Sequence, residues 1–456
     1  MEIGLIGLGN MGRNLAKNLD DKGYKVHVYN RTTSKTLDLV KSNPNIIPHY
    51  SISELVDGIN GKNKVVLLML TAGKIIDQVL ENLNSLLKED DVVVDIGNSF
   101  FKDTIRREEL YHFQFVGAGI SGGELGARYG GSITVGCKIS TWNIIKHILS
   151  DISSDSEISD GKCCQRFGDN GAGHFVKMVH NGIEYCDMDI IGETYKIFKY
   201  LGEDNDQISE TFHDWNNNEL KSYLLEISAK ILQKKHDDKY LIDEIEDSAQ
   251  QKGTGKDCIT EAVELSVPTI TIVAATFSRM ISARIDVRKN LNKHLKFNSQ
   301  PSNKLSKETL KKSMYLCRAT SYIQGFNLIK AAINNYNWHN DLNLVCDVWS
   351  NGCILRGSFL KTMQKIVSET GQDFEKSETF YDIFNKNIES LQEVVIYAAQ
   401  NGIPIPAISS CFNYLNSIRD IKSYGNMIQA MRDCFGGHTV IFKGEHEGVH
   451  IDWLNK

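Results

Sequence analysis

Lys177, His180, Asn181 and Glu184 stand at i, i+3, i+4 and i+7 in the segment HFVKMVHNGIEY. In a helix that spacing projects all four side chains from one face. Their neighbours Phe175, Val176, Met178, Val179 and Ile183 are apolar, so the polar stripe is expected to line a cleft inside packed protein, the alternative being a solvated face with a helical ion pair. The residue types suit proton transfer. Oxidising a secondary alcohol by hydride transfer needs a base for the hydroxyl proton, and lysine serves only when neutral. Free lysine titrates near about 10.4, leaving on the order of one neutral molecule in a thousand at neutral pH, so burial must depress it.

A second constellation points to a dinucleotide. GLGNMG follows the first apolar run and opens a helix, placing Gly7, Gly9 and Gly12 for a tight turn, a close pyrophosphate and a close helix–strand packing. Helix N-terminal amides would face the phosphates. At the end of the second apolar run, where an acidic residue would select NAD, the chain has Asn30-Arg31-Thr32. Arg31 offers a donor fork to a 2′-phosphate and Thr32 a hydroxyl, which favours NADP; the alternative for Arg31 is plain solvation.

These groups need a scaffold. The runs EIGLIGL, YKVHVYN, KVVLLML, DVVVDIG, QFVGAGI and SITVGC alternate with helical stretches, predicting six strands in a doubly wound parallel sheet, a Rossmann-type α/β domain over residues 1–170. Long amphipathic segments then predict a large all-α domain over 171–420, and residues 421–456, with Gly436-Gly437 and no clear apolar period, read as a C-terminal tail that packs on something else. A chain of 456 residues, 41% hydrophobic, suits two or three domains. Its net charge of −6 is mild and dispersed, which argues against nucleic acid and membrane partners and requires local positive charge for any anionic substrate. The apolar stretch Val267 to Ala283 carries Thr269, Thr271, Ser278 and Arg279, as expected of a buried helix and not a membrane span. No leader is expected before the first strand, and ten scattered cysteines without metal-type pairs fit reduced thiols; the expected address is cytoplasmic.

The ordered motifs GLGNMGRNLA, NRT, GNS at Gly97–Ser99, GISGGELGARYG, VKMVHNGIEY, QKGTGK, NGIPIPA and QAMRDCFGGHT resemble those of the 6-phosphogluconate dehydrogenase family along nearly the whole chain. The shorter patterns occur across the wider β-hydroxyacid dehydrogenase superfamily; QKGTGK and RDxFGxHT are particular to this family. The resemblance implies NADP-dependent oxidation of 6-phosphogluconate, decarboxylation of the 3-keto intermediate and release of ribulose 5-phosphate in the pentose phosphate pathway, without metal. It assigns Lys177 as base and Glu184 as acid. It places Asn98, Ser121, Gly122, Gly123, His180 and Asn181 on the substrate's hydroxyls and carboxylate. Tyr185, Lys252, Thr254, Arg279 and Arg432 fall to the phosphate pocket, and His438 joins Arg432 in a tail that completes the active site of the partner in a homodimer. Cofactor contacts are implied at Gly7, Gly9, Asn10, Met11, Gly12, Asn30, Arg31, Thr32, Met69, Leu70 and Asn98.

The chain departs from the family pattern at two positions beside the expected cofactor. Ile96 stands for a glycine and Thr71 for a lysine, which puts nicotinamide-side contacts in question. The tail beyond His450-Ile451-Asp452-Trp453 is also shorter than is common. Taken without the family, Arg279 in an apolar helix could instead make a buried ion pair. The rival functions are another β-hydroxyacid dehydrogenase acting on an unphosphorylated acid, and a silent NADPH-binding regulator. The first has no use for a phosphate pocket, the second none for the Lys177 stripe.

Overall fold

A computed structural model describes residues 1–251, 253–295, 305–338 and 341–455. Eight strands form one sheet: β1 (Glu2–Ile6), β2 (Lys25–Tyr29), β3 (Ile47–His49), β4 (Val65–Leu68), β5 (Val92–Asp95), β6 (Gln114–Ser121), β7 (Ser132–Gly136) and β8 (Cys164–Gly168). Their order is β3-β2-β1-β4-β5-β6-β7-β8. All neighbours run parallel except β6 and β7. The six expected strands are present. The sheet adds β3 and β8 and is mixed, correcting the all-parallel expectation. Continuous apolar runs such as VVLL and VVVD are buried throughout, because helices cover both faces of the sheet.

The helices that matter to function, in chain order, are α1 (Asn10–Asp21), α2 (Lys74–Asn84), α3 (Phe101–Leu110), α4 (Gly123–Tyr129), α5 (Ala172–Tyr200), α6 (Thr254–Glu264), α7 (Ile270–Ser282), α8 (Lys307–Asn335) and α9 (Gly425–Gly436). In the helical domain, α5 and α8, each of 29 residues, pack side by side. Gly325 on α8 makes the approach possible, since a Cβ there would lie 2.5 Å from Ile183 Cδ1. Burial of Val179 and Ile183 against this neighbour fixes which face of α5 turns toward the sheet. The domain is not wholly helical: Lys235–His236 and Lys239–Tyr240 form a two-stranded hairpin.

Two further expectations change. The helix in the Val267–Ala283 stretch, α7, is buried on one side only; Ile270, Phe277 and Ile281 are exposed. None of the described helices is long and apolar enough to cross a membrane. The tail contains a helix, α9, and folds around one carboxylate. Buried Asp433 accepts hydrogen bonds from Thr439 N, Ile451 N and Trp453 Nε1 and lies 2.8 Å from His450 Nδ1.

Candidate functional site

The fingerprint turn is built by exclusion. At Gly7, φ is +104° and a Cβ would lie 2.3 Å from Met69 O; at Gly12 a Cβ would lie 1.9 Å from Gly7 O. Both positions therefore require glycine to hold β1 against β4 and α1. Gly9 differs, because a Cβ there would meet nothing within 4 Å. It precedes α1 without a side-chain cap, so the first-turn amides face open space that an anion can fill. Asn30 Oδ1 accepts from Leu8 N at 2.9 Å and its Nδ2 donates to Thr32 O at 3.0 Å, clamping the fingerprint loop to the end of β2.

A groove of about 410 Å³ runs along these loops, lined by Gly7, Gly9, Asn30, Arg31, Thr32, Met69, Leu70 and Thr71 among others. It is a fit for an NADP-type dinucleotide. Lys35 also lines it, beside Arg31, and no carboxylate does. Lys35 was not anticipated from sequence; its only cue is its place in the first turn of the helix that follows Thr32. Asn10 and Met11 lie on the first turn of α1, and Asn10 Nδ2 donates to Glu124 Oε1 at 2.8 Å, tying the fingerprint to the Gly122–Gly123 loop. Of the two departures from the family pattern, Thr71 faces the groove, whereas Ile96 is fully buried in the core of the sheet.

The Lys177 stripe lies where β6 meets α5. Gly119 makes the contact possible, since a Cβ there would lie 2.4 Å from Lys177 Cβ. Lys177 is 7% exposed, and its Nζ donates to Asn181 Oδ1 at 2.8 Å and lies 3.4 Å from His180 Nδ1. Burial pushes Lys177 below the ordinary lysine value against the opposing attraction of Glu184, and burial pushes Glu184 above the ordinary carboxyl value against Lys177 and Arg279. His180 packs edge-on against Trp349, and burial holds its pKa far down. Its Nδ1 lies 3.7 Å from Glu184 Oε2, but a neutral imidazole there makes a polar contact and not an ion pair. The buried His180 Nε2 has no partner among the described residues, which leaves it for a bound group. The stripe is therefore buried within packed protein and is not a solvated face.

Ser121 is buried at the end of β6, followed by Gly122 (φ +104°) and Gly123 (φ +61°) at the start of α4. A Cβ on Gly122 would lie 2.2 Å from Gly352 O, whereas one on Gly123 would meet nothing within 4 Å. Asn98, beyond β5, is exposed.

A cationic corner closes the other end of the stripe. The Arg279 guanidinium lies 3.4 Å from the centre of the Tyr185 ring, and no described carboxylate pairs with it, so the ion-pair alternative does not hold. Gly255 packs against Tyr185, with a Cβ position 2.8 Å from the ring, which brings Thr254 at the start of α6 to the same corner. Lys252 lies outside the described residues. Arg432 and His438 are not brought there: Arg432 Nη1 donates to Gln429 Oε1 at 3.1 Å, and the His438 ring packs on Phe435, both within the tail.

Two family descriptions match nearly all of the chain: the NAD binding domain of 6-phosphogluconate dehydrogenase over residues 2–168 and the 6-phosphogluconate dehydrogenase C-terminal domain over 173–453. The decarboxylating 6-phosphogluconate dehydrogenase of Staphylococcus epidermidis is 39% identical, covering 100% of this chain and 99% of the relative. The Escherichia coli protein of the same name is 38% identical with the same coverage. Among solved structures, Plasmodium falciparum 6-phosphogluconate dehydrogenase, determined alone, with its cofactor NADP⁺ and with its substrate 6-phosphogluconate, superposes with a TM-score of 0.94 at 35% identity, covering 99% of this chain and 100% of that one.

Proposed function

The chain belongs to the 6-phosphogluconate dehydrogenase family, and from that premise we propose that it converts 6-phosphogluconate and NADP to ribulose 5-phosphate, carbon dioxide and NADPH in the pentose phosphate pathway. One observation carries the reading: a buried lysine and a partly buried glutamate on one helix face, each with its pKa displaced toward neutrality. That pairing is what a reaction needing first a base and then an acid requires.

Lys177, whose charged form burial disfavours, takes the proton from the substrate's carbon-3 hydroxyl. NADP, when bound, supplies the acceptor for the hydride leaving that carbon. The resulting ketone is β to the carboxylate, so the electrons of the breaking carbon–carbon bond flow into it as carbon dioxide departs. Lys177, now protonated, stands beside the oxygen that gains charge. Glu184, whose protonated form burial favours, delivers a proton to carbon 1 of the enediol. Asn98, Ser121, Gly122, Gly123, His180 and Asn181 hold the hydroxyls and carboxylate. Arg279, Thr254 and Tyr185, with Lys252, receive the phosphate. Arg31, Thr32 and Lys35 receive the 2′-phosphate of NADP, and the absence of a carboxylate from the groove supports that choice over NAD.

The working unit is a homodimer, with Arg432 and His438 completing the partner's pocket. The exposed apolar side chains on α7, together with Tyr424, Met427, Met431 and Phe435 in the tail, support the assembly, since such surface is seldom left to water. The ten cysteines are all free and nine are buried, which supports a reducing, cytoplasmic address.

The test follows NADPH absorbance and carbon dioxide release with 6-phosphogluconate, then with gluconate. One carbon dioxide per NADPH, and a rate that collapses with gluconate, are expected. Reduction without carbon dioxide, or equal turnover of gluconate, would hand the site to a simpler hydroxyacid dehydrogenase. No reduction at all would leave the silent cofactor-binding regulator.

A further inference from the structure

Arg107 on α3 is fully buried, although it carries a full charge. Its guanidinium reaches two separate stretches of chain. Nε donates to Asp77 Oδ1 at 2.8 Å in the first turn of α2, Nη2 to Gly73 O at 3.1 Å, and Nη1 to Ser99 Oγ at 3.2 Å. Nη1 also lies 3.7 Å from Asp95 Oδ2 at the end of β5. The acceptors are themselves tied together: Ser99 Oγ donates to Asp95 Oδ2 at 2.5 Å, and Gly97 N to Asp95 Oδ1 at 3.1 Å. Hydrogen bonding to Arg107 and Arg106 holds the Asp77 carboxyl below its ordinary range.

The two loops so joined are Met69–Gly73 and Gly97–Ser99. The first carries Met69, Leu70 and Thr71 on the groove wall, and the second carries the exposed Asn98. They also touch, since a Cβ on Gly97 would lie 3.2 Å from Leu70 O. The helix bearing Arg107 has a second anchorage. Thr104, three residues earlier, lies 2.7 Å from His174 Nδ1, and His174 precedes Lys177 by three residues on α5.

A buried arginine paired in this way is weak evidence of stabilisation, because desolvation consumes most of the gain. What a planar fork supplies that an apolar side chain cannot is fixed direction to several acceptors at once. We infer that Arg107 is a positioning residue: it sets the spacing of the two loops at the inner end of the cofactor groove and, through α3 and the Thr104–His174 contact, their register on Lys177. The inference deepens the proposed function and rests on it for the identity of the cofactor.

The test uses full-length Arg107→Lys and Arg107→Met, with Ser99→Ala as a milder variant that removes one bond of the fork together with the Ser99–Asp95 bond. Measured are NADPH affinity by fluorescence, 6-phosphogluconate affinity by calorimetry without cofactor, kcat, both KM values and Tm. Arg107→Lys keeps the charge but not the fork. It is expected to weaken NADPH binding and to lower kcat by on the order of a hundredfold, as for a displacement near 1 Å, while substrate affinity falls by less than cofactor affinity, since Asn98 alone of the substrate-facing residues stands on either loop. Ser99→Ala should move the same two quantities in the same direction by less. Should Arg107→Met fail to fold, the other two variants decide. Loss of Tm alone with unchanged cofactor affinity, or equal loss of substrate and cofactor affinity, would overturn the inference. Wild-type protein that binds NADPH yet does not turn over 6-phosphogluconate would instead refute the function, leaving the affinity comparison valid.

Discussion

Replacing Gly119 by alanine tests whether β6 sets the position of Lys177. The added methyl would stand 2.4 Å from Lys177 Cβ, 2.5 Å from its Cγ and 3.2 Å from Thr134 Oγ1. Carbon atoms rest at about 3.5–4.0 Å, so strand and helix must part by on the order of 1 Å. The strand has little freedom to give, because β6 pairs with β7 in continuous antiparallel register from Gly117 to Ser121. Most of the movement falls on α5 at the turn that carries Lys177. Overpacking of this kind costs about 1–3 kcal/mol, and a displacement near 1 Å at a reacting group costs on the order of a hundredfold in rate. Steady-state turnover of 6-phosphogluconate should therefore fall about a hundredfold by that rule, with Tm lowered by several degrees. NADPH binding by fluorescence should hold, since Gly119 does not line the cofactor groove. Turnover within about twofold of the parent at unchanged Tm would refute the claim that this contact positions the base, because a shift near 1 Å could not leave the rate intact.

Lys177→Met should lower kcat by about 10²–10⁴, while calorimetric binding of 6-phosphogluconate survives. The pH profile of kcat should be bell-shaped. The rate rises as Lys177 loses its proton through a pKa below the ordinary lysine value, and falls as Glu184 loses its own through a pKa above the ordinary carboxyl value; Glu184→Gln should abolish the alkaline limb and spare the acid one. Arg31→Ala should raise KM for NADP by roughly 10- to 100-fold, as for loss of a charge-assisted contact, and leave KM for NAD nearly unchanged, which steady-state comparison of the two cofactors reads directly. Truncation after Asp420 should give a monomer by sedimentation and suppress activity, with NADPH binding retained.

Features that repeat locally were legible in the sequence. The stripe at Lys177, His180, Asn181 and Glu184 follows helical spacing, and the fingerprint lies between an apolar run and a helix. β3 left no such trace, being three residues with Pro48 at its centre, which suits a sheet edge. β8 reads Cys-Gln-Arg-Phe-Gly and carries no β-branched residue. The reversal of β7 had one unused cue: only Gly122–Gly131 lies between β6 and β7, short for a parallel crossover. Gly119, Lys35 and Arg107 were missed because each acts across pairings that periodicity does not reveal. Gly119 matters only once β6 lies against α5, and Arg107 only once β4 and β5 are neighbours. Arg432 and His438 were visible as a motif, but a single chain holds them within its own tail, and which pocket they serve depends on a second copy.

Why one helix face provides both a base and an acid follows from the sign of desolvation. Removing water disfavours whichever form is charged, the protonated one for lysine and the ionised one for glutamate. A single buried helix face therefore lowers Lys177 and raises Glu184 together. Their mutual attraction works the other way, toward an ion pair, but for each group burial is the larger influence. On an exposed helix the attraction would meet no such opposition. Both groups would stay charged at neutral pH, the lysine unable to accept a proton and the glutamate unable to give one. The apolar residues flanking the stripe thus do more than pack. Phe175, Val176, Val179 and Ile183 are buried around it, and by excluding water they make its two ionisable groups usable in the order the reaction needs.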